Sequence, residues 1–214
     1  MSEEEFVNLY WKQYIMIEKE YRQTTKYVAL DSINFKTYSD AYIKLLLQIG
    51  SEVDIVAKAL CKEINNASNA KNINHYQSEI ISRFTDFADV IVNSEKIDFV
   101  PWDSWKQSSS PIWWKTYNNV KHDRNNKDDG LTENYKYANL ENTINALAGL
   151  YQLELYLYSV LPHKQSVETP LPGSRLFGIN NSGWESLHFG KDSLTYVKDG
   201  CFYIEYAPYF YGDV

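Results

Sequence analysis

One stretch decides the fold prediction: SPIWWKTYNNVKHDR, from Ser110 to Arg124. A serine at the N-cap, followed by a proline at the first helical position, predicts the start of a helix. At about 100° per residue, the aromatic and aliphatic residues fall on one side. That side holds Trp113, Tyr117 and Val120, with Trp114 beside them. The other side gathers an imidazole, two carboxamides and a cation, from His122, Asn118, Asn119 and Lys115.

Helical periodicity predicts four further helices, over residues 4–27, 39–64, 75–92 and 139–161. Gly50 lies inside the second of them, which is tolerable if another helix crosses closely there. Asp54 and Lys58 have the spacing of an ion pair on the outer face of that helix. The last helix, capped by Asn139, is apolar nearly all round, which is typical of a buried central or dimer-forming helix. Its exception, Glu154, is expected at a solvent edge or in a structural ion pair.

The segments between the helices and after them carry different signals. Residues 93–109 are predicted to be irregular, with Trp102 and Trp105 folding back as a lid on the bundle. Two β-prone runs near the end flank Lys198-Asp199-Gly200, which predicts a hairpin. A single hairpin is marginal in water, so it must pack on the helices or on a partner.

These signals together predict an all-α fold. We expect an up-down bundle of four or five helices with a small C-terminal β-hairpin. The bundle is assigned to residues 1–165, and the extension that carries the hairpin to residues 166–214.

Composition limits the classes of function. With a net charge of −7, the 214-residue chain is not expected to grip nucleic acid over its whole surface. A local basic patch remains, although such a cluster is most often just a solvated face. It consists of Lys106, Lys115, Lys121, Arg124 and Lys127. No run approaches the roughly 18 apolar residues of a membrane span, and no signal-peptide pattern is present, so we expect a cytoplasmic protein without membrane contact.

Metal and cofactor signatures are missing from the sequence. Cys61 and Cys201 lack metal or redox spacing and are expected to be reduced thiols. The histidines outside the opening stretch are far apart and show no metal-ligand spacing; they are His75, His163 and His188. No glycine-rich phosphate loop precedes a helix. We therefore predict neither a metal nor a cofactor.

The opening stretch, with the helical run from Ala138 onward, resembles the HEPN (higher eukaryotes and prokaryotes nucleotide-binding) domains. Catalytic members carry an arginine, often a polar residue next, and then a histidine a few residues later. Matching Asn118 and His122 to the last two puts Tyr117 at the arginine's position. The Tyr-Asn-x-x-Lys-His form resembles a bacterial subgroup. The resemblance implies RNA as a ligand, a role in antiviral defence or a toxin–antitoxin system, and a homodimer in which two motif helices line one cleft.

Metal-free RNA cleavage needs a base for the 2′-hydroxyl, an acid for the leaving group and a cation for the phosphate. Histidine suits the first two roles because its ordinary pKa lies near neutrality. We assign His122 as the acid–base group and Asn118 as the residue that orients it or the phosphate. The substrate-binding candidates are Lys121, Arg124, Lys115 and Tyr117. Lys121 and Arg124 are expected to point elsewhere around the helix than position 117, and so to need side-chain length or a second subunit.

Two other functions remain open. Tyr117 in the arginine's place favours a HEPN-like domain that binds a nucleotide, RNA or a protein such as an antitoxin without cleaving. The aromatic tail favours an oligomeric scaffold that docks on another protein. Without the resemblance, a single histidine on a polar helix face is most often a plain surface residue. The tryptophans could stack bases, but core packing is their commoner role, and Trp113 is assigned to the core.

Overall fold

The computed structural model of the chain describes residues 1–161, 170–180, 188–190, 193–198 and 201–206. In these residues the α-helices are α1 Glu3–Phe6, α2 Lys12–Thr24, α3 Asp40–Ile64, α4 Ile73–Arg83, α5 Ile112–His122 and α6 Leu140–Ser159. A π-helical turn, Val7–Trp11, joins α1 to α2 without a break. The predicted helical bundle is confirmed. No helix in the described part of the chain combines the length and the apolarity that crossing a bilayer requires.

The two long helices, α3 and α6, both begin with a side-chain cap, and the cap of α6, Asn139, was predicted. The Ser39 hydroxyl accepts from the Tyr42 amide at 3.2 Å, and the Asn139 carboxamide accepts from the Asn142 amide at 3.0 Å. Both helices start at the same end of the bundle, because the Leu140 amide donates to the Thr37 carbonyl at 2.9 Å. The Asp54–Lys58 ion pair on α3 is also confirmed.

α6 is the centre of the core, as its apolar circumference predicts. Residues from Leu140 to Tyr158 are buried with few exceptions. The rings of Trp11 and Tyr14 on the α1–α2 helix pack on Tyr151. Glu154 departs from the prediction. Its side chain is only 1 % exposed, and in the described residues it makes no ion pair. A helix covered on every side leaves no solvent edge for a carboxyl group at its centre.

The third predicted helix is too long. α4 ends at Arg83, and a 3₁₀ turn, Phe87–Asp89, leads into strand β1, Ile91–Asn93. β1 pairs antiparallel with β2, Asp98–Phe99, and with β3, Gly178–Asn180. The β-branched residues of β1 also fit a helical period. They form a strand because they pair with β3, which lies far along the chain.

Residues 93–109, predicted to be irregular, contain β2 and a 3₁₀ turn, Asp103–Gln107. Their two tryptophans fold back onto the bundle as predicted and become part of the core. Trp102 donates its indole N–H to the Gly149 carbonyl at 3.2 Å and packs edge-on against Trp113. This packing joins the loop to both α5 and α6.

A second antiparallel sheet lies near the C-terminus. It contains β4 His188–Gly190, β5 Ser193–Lys198 and β6 Cys201–Tyr206, in that order. β5 and β6 are the strands of the predicted hairpin, whereas β4 was not predicted. The Asp199-Gly200 turn lies outside the described residues.

Candidate functional site

The candidate site is the exposed end of α5. The helix begins at Ile112, one residue later than predicted, since Pro111 occupies the cap position and its carbonyl accepts from the Lys115 amide at 3.0 Å. It ends at His122 and not at Arg124. Asp123 leaves the helical conformation, although its amide still donates to the Asn119 carbonyl at 2.9 Å. His122 is therefore the last helical residue.

The apolar side of α5 is packed into the bundle. Trp113 donates its indole N–H to the Pro101 carbonyl at 2.9 Å, which confirms its assignment to the core. Trp114, at the edge of this side, is also buried, with 8 % of its surface exposed. Since both rings are covered, neither presents a face on which a base could stack.

Tyr117 occupies a place that only a glycine opposite it allows. A β-carbon on Gly50 of α3 would lie 2.3 Å from Cδ2 of the Tyr117 ring. The close crossing predicted at Gly50 is thus confirmed, and the element that crosses is α5. With 4 % of its surface exposed, Tyr117 is a core residue at the position matched to the arginine.

Lys121 lies against Tyr117, contrary to the expectation that it points elsewhere around the helix. Its ammonium donates to the Tyr117 hydroxyl at 3.2 Å and lies 5.3 Å from the centre of the ring. The physical reason is the four-residue spacing, which puts the two residues one above the other on a helix.

Asn118 and His122 form the neighbouring four-residue pair. The Asn118 carboxamide donates through Nδ2 to the Trp114 carbonyl at 2.9 Å, so its Oδ1 remains as an acceptor. Asn118 is half-buried, whereas His122 is exposed to solvent. The imidazole thus lies on the water-facing side of α5, one turn beyond an oriented carboxamide.

The basic patch is smaller than the sequence indicates. Lys106 is neutralised by Asp89 at 2.7 Å and Asp103 at 2.8 Å, and Lys127 lies 3.6 Å from Glu133. Three exposed cations remain that make no ion pair with a carboxylate in the described residues, namely Lys115, Lys121 and Arg124. Lys115 and Lys121 belong to α5, and Arg124 follows it after the exposed carboxylate of Asp123.

The loop after α5 is held by a residue that the sequence did not single out. Asn134 is 2 % exposed and donates to the Asp123 carbonyl at 2.9 Å. The Tyr135 amide donates to the Arg124 carbonyl at 3.1 Å. These bonds hold the backbone of Arg124 beside the end of α5. Because the acceptors are backbone groups, no side-chain pattern in the sequence could have revealed Asn134.

Other reactive groups in the described residues offer no competing site. No cluster of three or more His, Cys, Asp or Glu side chains there is arranged to hold a metal ion. Cys61 is buried, and burial raises the pKa of its thiol to about 12, so the nucleophilic thiolate is not available near neutrality. His75 is exposed on α4, His188 lies in β4, and His163 falls outside the described residues.

Comparison of the chain with protein-family models, with curated proteins and with solved structures returns no match. The chemistry of the end of α5 is therefore the basis for assigning a function.

Proposed function

We propose that the exposed end of α5 binds RNA and cleaves it without a metal ion, with His122 as the acid–base group. The observation that carries the proposal is the exposed imidazole, one turn from an oriented carboxamide, with the exposed cations Lys115, Lys121 and Arg124 on the same helix or just after it. The resemblance to HEPN domains supports it and adds a setting, bacterial defence or a toxin–antitoxin system.

The reaction has a simple balance. An imidazole nitrogen takes the proton of a ribose 2′-hydroxyl, and the 2′-oxygen attacks the adjacent phosphorus. The bond from phosphorus to the 5′-oxygen breaks, and that oxygen takes a proton from an imidazolium. The products are a 2′,3′-cyclic phosphate and a 5′-hydroxyl. A nearby cation stabilises the extra negative charge on the phosphorane.

Both proton transfers need an imidazole, and each chain carries one at this position. A homodimer that brings two α5 ends to one groove would supply an acid and a base together. In a monomer the same imidazole would have to accept the first proton and deliver it to the 5′-oxygen. The dimer is therefore part of the proposal.

The test is cleavage of single-stranded RNA by the purified protein in the presence of a chelator. His122→Ala is expected to lower the rate by about 10²-fold or more, the usual contribution of general acid–base catalysis. His75→Ala is the matched control, because it removes an exposed histidine from another helix and should leave the rate unchanged. If the wild-type protein cuts RNA no faster than His122→Ala does, the nuclease proposal is wrong.

A second candidate function is RNA or nucleotide binding without cleavage. The observation that favours it is the buried, uncharged Tyr117 at the position matched to the arginine. On this proposal the wild-type protein binds single-stranded RNA without cutting it. Robust cleavage by the wild-type protein would count against it.

A further inference from the structure

The spacing of the candidate motif corresponds to two adjacent four-residue pairs on α5. Tyr117 and Lys121 form one pair, and Asn118 and His122 form the next, one residue further around the helix. Residues four apart are stacked on the surface of a helix, so the two pairs make parallel ridges one turn long. In each ridge the first residue is held by the fold and the second reaches solvent.

The first ridge is anchored more firmly than a surface side chain. The Tyr117 ring lies on the backbone of α3, where a β-carbon on Gly50 would be 2.3 to 2.6 Å from three ring carbons. The Trp114 ring also packs against it, with 5.1 Å between the ring centroids. Closely packed interiors hold side chains in one arrangement, so the ring cannot swing away from this place.

This ring and its hydroxyl restrain the Lys121 ammonium. The hydroxyl accepts a hydrogen bond at 3.2 Å, and the ammonium lies 5.3 Å from the ring centre, so it sits beyond the hydroxyl edge of the ring. A free lysine loses rotamer entropy when its cation is fixed. Here part of that loss occurs when the protein folds, before any phosphate arrives. Lys115, by contrast, makes no ring or carboxylate contact in the residues that the structure describes.

We propose that Tyr117 is a positioning residue that holds the Lys121 ammonium beside His122 as the phosphate-binding cation of the site. The inference rests on the proposed function for its substrate, the phosphodiester of RNA. The restraint itself is a property of the folded chain. Tyr117, at the position matched to the arginine, then carries no positive charge itself. It positions the ammonium of Lys121, four residues later.

The restraint can be measured without any activity. The lysines are converted to ¹³C-dimethyl-lysines, which keep their positive charge, and Lys121→Arg and Lys115→Arg assign the two resonances. Ring current from Tyr117 is expected to shift the Lys121 resonance downfield of that of Lys115, because Lys121 lies near the plane of the ring and beyond its edge. Tyr117→Phe removes the hydroxyl but keeps the ring, and should move the Lys121 resonance without unfolding the protein. Coincident Lys121 and Lys115 resonances in the wild-type protein would overturn the proposal.

Phosphate binding is probed with a short single strand of 2′-deoxynucleotides, which has backbone phosphates but no hydroxyl to attack. Adding it should shift the Lys121 resonance at lower strand concentration in the wild-type protein than in Tyr117→Phe. A response confined to Lys115, or an equal affinity of the two proteins, would overturn the positioning role.

Cleavage assays with variants of Lys121 and Tyr117 distinguish this proposal from the nuclease proposal. Where cleavage occurs, Lys121→Ala should lower kcat by about 10²-fold, the usual loss for one donor to a developing oxyanion. Tyr117→Phe should lower it less, and adding it to Lys121→Ala should change nothing further, because Tyr117 acts only through Lys121. Independent, multiplying effects would contradict the proposal. A protein that binds the deoxy strand through Lys121 but fails the His122→Ala test retains the positioning site and loses only the nuclease function.

Discussion

Glu154 is a carboxyl group enclosed by the core. Its Oε2 has no hydrogen-bond partner in the described residues, and the half-buried Glu52 of α3 is a nearby source of negative charge. Burial, and then Glu52, raise the pKa of Glu154 well above its ordinary value. Burial also raises the pKa of Tyr10 in the π-helical turn, with a further contribution from Glu154. The neutral, protonated form is therefore the one that the folded state favours.

This predicts an unusual dependence of stability on pH. The unfolded chain releases the Glu154 proton above its ordinary pKa of 4.5, while the folded chain keeps it. The free energy of unfolding should then fall as pH rises above 4.5, by up to about 1.4 kcal/mol per pH unit, until the folded pKa is reached. Glu154→Gln cannot ionise, so it should match the wild-type protein near pH 4 and be more stable at pH 7. Urea denaturation at several pH values measures this difference.

Glu4→Gln is the control, because it makes the same change at an exposed position and should follow the wild-type curve. If the Glu154→Gln and wild-type curves run parallel from pH 4 to pH 7, the carboxyl group is not held neutral in the folded state.

Among the elements, the segment that enters β3 is attached to the bundle through a buried carboxylate on α2. Glu18 is 3 % exposed and accepts from the Tyr14 hydroxyl at 2.7 Å, the Arg175 amide at 2.8 Å and the Ser174 hydroxyl. Trp11 adds a bond from its indole to the Pro172 carbonyl at 2.8 Å. A carboxylate satisfied by three donors can be buried at low cost, and here it connects two distant parts of the chain.

Glu18→Gln should therefore loosen this segment selectively. A carboxamide accepts through one oxygen and turns an NH₂ group toward the remaining donors, so the expected loss is about 1–3 kcal/mol. Amide hydrogen exchange should accelerate at Arg175 and Phe177 more than in the middle of α3. Glu20→Gln, which removes an exposed partner of Lys44, is the control. Unchanged exchange at Arg175 would show that Glu18 does not anchor the segment.

For the molecule as a whole, the net charge of −7 disfavours binding of nucleic acid, and three exposed cations lie on α5 or just after it. RNA binding should therefore depend on few contacts. Three lysine and arginine contacts to a single strand predict a slope of about −2 for log affinity against log salt concentration. Lys115→Gln should make the slope shallower by about 0.7. Fluorescence anisotropy with a labelled RNA measures both values.

Lys106→Gln is the matched control, because Asp89 and Asp103 already neutralise that lysine and the slope should not change. A salt slope near zero for the wild-type protein would contradict an electrostatic RNA site at the end of α5.

The sequence alone determined the features that depend on neighbours in the chain. Periodic apolar residues predicted α3 and α6, and the cap Asn139 predicted where α6 begins, since helical bonds close within four residues. The strands of the C-terminal hairpin followed from two β-prone runs on either side of an Asp-Gly turn signal. The apolar and polar sides of α5 followed from its period.

Only the tertiary structure decided which residues each side chain contacts. It ended α4 early because β1 finds its partners, β2 and β3, elsewhere in the chain. In the folded protein Glu154 is buried and Lys106 is paired with carboxylates. Tyr117 packs on Gly50, and its hydroxyl accepts a hydrogen bond from Lys121. Spacing sets the direction in which a side chain leaves its helix, but burial and charge pairing depend on residues that are distant in sequence and near in space.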